Sequence, residues 1–222
     1  MDGPLLQKAV HAPLADASPP VVVKLGGSVI HSPDLAAWLD VIAAAPAPTR
    51  VVIVPGGGAL ADEVRSCQQQ LGFGDPAAHR MALLAMDQLA WAIAGLRPGL
   101  EVVTTEDALR ETIDHGQVAV WAPYTLISGR AEVEATWRLT SDSLALWLAG
   151  HLGASRCYLI KSGARTSASL GAEQLARDGV VDAAFPSMLA ETGIGTCLLG
   201  RGDQQALAKC LADNAPGGAL IE

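Results

Sequence analysis

The chain has 222 residues, enough for one compact unit or for two lobes sharing a sheet. Half of the residues are hydrophobic, 17% are charged and the mean hydropathy is +0.29, which excludes a disordered chain. The net charge of −8 repels nucleic-acid backbones and anionic membrane surfaces, so any phosphate site has to be built locally.

Residues 1–19 carry acids, a histidine and prolines but no apolar core of signal-peptide length, and predict a loose tail on a cytoplasmic protein. VVVKLGGSVI then predicts a buried strand entering a tight glycine turn. Ser32 caps and Pro33 opens a predicted helix over 33–45. VVIV (51–54) runs through a glycine turn into a helix over 59–71, and a long apolar helix follows over 77–96. That helix carries Asp87 in its middle and falls short of a membrane span. EVVT (101–104) runs into TEDALRE and VAVW (118–121) into a loop. A helix over 141–152 precedes the strand-like RCYLIKSG (156–163). Helices over 185–193 and 203–213 and the segments GTCLLG and GGALIE complete the chain. Continuously apolar strands alternating with helices predict a largely parallel α/β sheet covered on both faces. No repeat or linker interrupts residues 20–222, which read as a single domain with halves at about 20–125 and 126–222. The cysteines, Cys67, Cys157, Cys197 and Cys210, lack zinc or redox-pair spacing and read as reduced buried thiols.

In an open α/β sheet, ligands sit beyond the carboxyl ends of the strands, so the turns there carry the chemistry. Lys24, Gly26, Gly27 and Ser28 place a compact positive charge beside a turn whose missing side chains let a phosphate approach. A glycine pair is also common in plain turns, and Lys24 could simply reach solvent. Gly56, Gly57 and Gly58 are costly in backbone entropy, which close approach of an anion would justify. The same stretch satisfies GxGxxA, but the acid that a dinucleotide fold wants at the end of the next strand is missing, since Asp75 precedes a helix. Thr140, Ser141, Asp142 and Ser143 lead into an apolar helix and read equally as a cap. Lys161, Ser162 and Gly163 repeat at a second strand end what Lys24 does at the first. His79 and Arg80 could bind an anion, although a histidine opening a helix is more often a surface residue. No HExxH, GxxxxGK[ST] or Ser/His/Asp order occurs, which leaves phosphate chemistry without a Walker loop.

VVVKLGGS, VPGGG and the later LTSDS, in that order, resemble the amino-acid kinase superfamily, which includes acetylglutamate, uridylate, aspartate and isopentenyl phosphate kinases. More narrowly, AHRMALLAMDQLAW, VWAPYTLI, WRLTSDSLALWLA, LIKSG and VVDAAFP are similar to the small kinases acting on (5-aminomethylfuran-3-yl)methyl phosphate in methanofuran-type cofactor synthesis. The resemblance implies a three-layer αβα sandwich, with ATP and a small phosphorylated acceptor end to end across the strand ends. It makes Lys24, Asp142 and Lys161 catalytic, with Lys24 on the transferring phosphoryl group and Asp142 orienting the lysine. It puts Gly26, Gly27, Ser28, Thr140, Ser141, Ser162 and Gly163 around the nucleotide and Gly56, Gly57 and Gly58 on the acceptor's phosphate. Magnesium is implied by the ATP chemistry, with no metal ligands visible in the sequence. The GGMxxK segment of acetylglutamate kinases is absent; VVDAAFP stands in its place and Lys161 is the candidate substitute. The rival readings are another kinase of the superfamily and a nucleotide- or oxoanion-binding protein without catalysis. Met81, Leu84, Leu89, Trp91 and Ile93 surround helix 77–96 and predict a homodimer.

Overall fold

The computed structural model describes residues 18–163, 169–213 and 215–222. The predicted tail lies almost wholly outside them. In chain order the elements are β1 (Val21–Leu25), α1 (Gly27–Ile30), α2 (Leu35–Ala43), β2 (Val51–Pro55), α3 (Gly58–Leu71), α4 (Asp75–Leu96) and β3 (Leu100–Val103). They continue with α5 (Glu106–Asp114), β4 (Val118–Trp121), α6 (Tyr124–Ile127), α7 (Ser141–Leu152), β5 (Arg156–Ile160) and β6 (Ser169–Leu170). The last are α8 (Ala172–Arg177), α9 (Phe185–Thr192), β7 (Thr196–Leu199), α10 (Gln204–Asp213) and β8 (Ala219–Ile221).

The described strands form one sheet in the order β3-β4-β2-β1-β5-β7-β8-β6, parallel except where β7 meets β8. Strands before residue 125 form one side and those after it the other, and β1 against β5 is the seam. Because side chains alternate across a strand, β1 feeds two cores. Val21, Val23 and Leu25 pack with Trp38, Leu39 and Ile42 of α2 and with α10, whereas Val22 faces Leu144, Leu148 and Phe185 of α7 and α9. Helices thus cover both faces of the sheet, giving the three-layer α/β sandwich that the apolar strands predict. Lys24 has the parity of Val22 and is therefore aimed at α7.

Several boundaries differ from the sequence reading. α2 starts at Leu35, because Ser32, Pro33 and Asp34 form a turn closed by the Leu35 amide donating to the Ser32 carbonyl (3.2 Å). The Ser32 hydroxyl oxygen accepts from the Asp34 amide (3.2 Å) and does not cap the helix. α4 starts two residues earlier, at Asp75, with Pro76 in its first turn. The turn after β1 winds into α1, and β4 leads into the short helix α6. Leu89 and Ile93 are buried in α4, which leaves Met81, Leu84, Trp91 and Leu96 exposed, Trp91 to 65%. All four cysteines are free, but Cys67 is only half-buried. Among the described residues no helix is long and apolar enough to cross a membrane.

Candidate active site

Two parallel neighbours, β1 and β5, deliver the lysines. Lys24 is the fourth residue of β1, in register with Leu159 of β5, and Lys161 follows the last residue of β5. Asp142, in the first turn of α7, lies between them. Its Oδ1 accepts from Lys24 Nζ at 2.6 Å, and both of its carboxylate oxygens accept from Lys161 Nζ at 2.8 Å. Lys24 is 3% exposed and Asp142 5%. Burial works to raise the Asp142 carboxyl, and the ammonium groups, Lys24 foremost, outweigh it and hold the group down at about 2. Burial, reinforced by the Lys24 charge, pulls Lys161 down to about 8 against the attraction of Asp142. The cluster is thus two cations on one carboxylate, with positive charge in excess.

The trio stands between two cavities. The larger, of about 380 Å³, is reached by Lys24 and Asp142 and is also lined by Gly27, Ser28, Gly57, Gly58, Thr140 and Ser141. The smaller, of about 250 Å³, is reached by Lys161 and Gly163, with Leu170, Leu175, Gln174 and Asp178 among its walls. Gly26 and Gly56 are buried and Ser162 is exposed, and these three line neither cavity. Thr140 and Ser141 line the larger cavity together with the glycine turn that opens α3, whereas Lys161 and Gly163 line the smaller one.

The glycines have a reason that the sequence does not display. The turns after β1 and β2 pack backbone against backbone: a Cβ on Gly27 would stand 2.7 Å from Gly58 Cα, and one on Gly56 would stand 2.7 Å from Gly27 N. A Cβ on Gly26 would meet the Ile160 carbonyl at 2.8 Å, and Gly58 has φ +51°. Missing side chains therefore bring the N-terminus of the 14-residue helix α3 against the end of β1, beside Lys24. No side chain caps α3 from Gly57, and the Ala59 amide donates to His31 Nε2 at 3.4 Å.

Asp182, inside VVDAAFP, holds the turn beside Asp142, a contact that the sequence does not mark. Its Oδ2 accepts from the amides of Thr140 (2.9 Å) and Ser143 (3.0 Å) and from the Thr140 hydroxyl (2.9 Å), and its Oδ1 accepts from the Ser143 hydroxyl. The sequence lets Thr140, Ser141, Asp142 and Ser143 read as the cap of α7; Thr140 makes no side-chain cap, and a carboxylate about forty residues away serves instead. That cap fixes the turn that aims Asp142. Asp62, Arg65, His79 and Trp137 also line the larger cavity; of these the sequence marks only His79, as a possible anion ligand. Burial lowers the His79 pKa and so favours its neutral imidazole.

A sequence profile described as "Amino acid kinase family" matches residues 19–164, about two thirds of the chain, including Lys24, the glycine turns, Asp142 and Lys161. The chain belongs to the amino acid kinase family. A curated relative, [5-(aminomethyl)furan-3-yl]methyl phosphate kinase of Methanocaldococcus jannaschii, is 30% identical over 129 residues. That match covers 57% of this chain and 58% of the relative, so the chain spans less than two thirds of the relative's length. Among solved structures, uridylate kinase from Archaeoglobus fulgidus superposes with TM-score 0.68 at 19% identity, over 91% of this chain and all of that one. UMP kinase from Ureaplasma parvum gives 0.67 at 16%, over 92% of this chain and 96% of that one. At these identities the structural likeness establishes the amino acid kinase fold alone.

Proposed function

We propose that this amino acid kinase family protein is an ATP-dependent kinase that moves the γ-phosphoryl group onto the phosphate of a small furan-containing amine, (5-aminomethylfuran-3-yl)methyl phosphate, giving the diphosphate and ADP. One observation carries the reading: a single buried carboxylate holds two ammonium groups, one opening onto each of two cavities. Transfer between anions needs positioning and charge neutralisation more than covalent help. Lys24 and Lys161 supply the charge, each lining one of the two cavities, and Asp142 keeps both nitrogens in place. With its carboxyl held at about 2 and both oxygens engaged, Asp142 is a poor general base. An acceptor phosphate, whose second pKa is about 6, is already ionised and needs none. The relative from M. jannaschii supports this choice of acceptor.

In this assignment the acceptor's phosphate sits at Gly57 and Gly58, where α3 begins, and Gly27 and Ser28 donate to the group in flight. Gly26 and Gly56 serve by letting the turns close. The nucleotide lies across Lys161 and Gly163, with Ser162 flanking it and its base between Leu170, Leu175 and Gln174. Thr140 and Ser141 reach the phosphates from the larger cavity. Magnesium fits as a companion of ATP: the carboxylate beside the lysines, Asp142, is already paired with both, so the ion's ligands would come chiefly from the nucleotide's own phosphates and water. Among the described residues no three His, Cys, Asp or Glu side chains gather as a metal cage.

The exposed Met81, Leu84, Trp91 and Leu96 on α4 support a homodimer, with the same helix lending its opposite face to the larger cavity through His79, Leu83 and Met86. Mixing protein, ATP, magnesium and the furan phosphate tests the activity. ADP should appear in step with the acceptor consumed; ADP no faster than in the absence of acceptor would contradict it, and faster turnover with isopentenyl phosphate would reassign the acceptor.

A further inference from the structure

One face of α3 changes character turn by turn. Gly58 opens the helix at the proposed phosphate site, Asp62 follows four residues later, about 6 Å along the axis, and Arg65 comes three residues after that; all three line the larger cavity. Arg65 Nη1 donates to Asp62 Oδ1 at 2.7 Å, and its Cζ lies 4.2 Å from the centroid of the Trp137 ring. One guanidinium therefore sits between a carboxylate and an aromatic face, the two surroundings that attract an organic cation. The indole is not free to turn away. Its Nε1 donates to Gln68 Oε1 at 2.6 Å, and Gln68 Nε2 donates to Asp75 Oδ1 at 2.8 Å.

Two carboxylates line this cavity, and Asp142 is fully engaged by the lysines. Asp62 is the one whose present partner is exchangeable, because an exposed ion pair between neighbours on a helix is weak. We propose that Asp62 and the face of Trp137 form a cation subsite, filled by Arg65 in the free enzyme and by the protonated aminomethyl group of the acceptor in the complex. The inference rests on the furan phosphate reading and adds to it: the glycine turn takes the anionic end of the acceptor, and Asp62 with Trp137 takes the cationic end. Selectivity then comes from the spacing of an anion site and a cation site along one helix. Uncharged acceptors of the same shape lose the second contact.

The test compares kcat/KM for the aminomethyl acceptor with that for its hydroxymethyl counterpart. The wild type should prefer the amine by about tenfold, the scale of a cation held by an aromatic face and a carboxylate. Asp62→Asn should bring the ratio close to one by raising KM for the amine, with kcat little changed, and Trp137→Leu should narrow it. Arg65→Ala should lower KM for the amine by removing the internal competitor, and so widen the ratio. A ratio unmoved by Asp62→Asn would overturn the subsite, as would Arg65→Ala raising KM for both acceptors alike, since Arg65 would then be an anion ligand. Calorimetric titration of both compounds against wild type and Asp62→Asn reads the subsite separately from turnover. Absence of ADP with either compound would sink the kinase assignment, while equal affinities in that titration would sink the subsite.

Discussion

The two strand-end lysines look alike in sequence and differ in the folded protein. Lys24 lies within β1, is almost wholly buried, and is followed by a turn so tight that neighbouring backbones exclude any Cβ. Lys161 stands just past the end of β5, with 20% of its side chain exposed, and leads into the exposed Ser162 and Gly163. Both share Asp142, and burial together with the Lys24 charge pulls the Lys161 ammonium down to about 8. The Lys161 charge is therefore one that burial and a neighbouring cation weaken, at the point where the strand gives way to a turn beside the smaller cavity.

The largest effect should separate the two lysines by rate. Lys24→Ala is expected to slow turnover by about 10²- to 10³-fold, the scale of removing one transition-state charge stabiliser, and Lys161→Ala by less, as steady-state ADP release would measure. Equal losses would erase the distinction. Next comes stability: Asp142→Asn leaves two ammonium groups, one deeply buried, without their counter-charge. It should cost about 3 kcal/mol or more in denaturant titrations, the range for breaking a buried pair from one side.

The pH profile sharpens the same contrast. As pH rises through about 8 the free enzyme loses the Lys161 charge, so kcat/KM should fall on the alkaline side. The folded state then binds fewer protons than the unfolded chain, so stability rises with pH between about 8 and the ordinary lysine range. Because the Lys24 charge pushes Lys161 down, the residual activity of Lys24→Ala should carry an alkaline limb displaced upward; an unmoved limb would detach it from Lys161. Asp142 adds stability that is complete above the ordinary aspartate range and is lost as pH falls through about 2. The smallest effect belongs to Asp182→Ala, which uncaps α7 and should cost about 1–2 kcal/mol, together with a fall in kcat that Asp182→Asn partly restores.

The sheet was legible because its strands are short apolar runs, and β1 pairs along its whole length with both neighbours. Lys24 and Lys161 were legible as a pair because each breaks such a run at its carboxyl end. The Asp182 cap was not, since the residue that completes the first turn of α7 comes from beyond β5 and α8, and no local pattern encodes contacts of that separation. The glycine turns were legible as special, but a single sequence does not reveal that Gly27 and Gly58 touch each other. α1 was hidden for a related reason, because GGSVI reads as a turn until tertiary packing closes it into one helical turn.

Single-turnover transfer from ATP to the furan phosphate, followed in wild type and Lys24→Ala with both substrates saturating, tests most directly whether the paired lysines neutralise the migrating group. A drop in the transfer rate of about a hundredfold or more is the predicted result; equal rates in the two proteins would contradict the account.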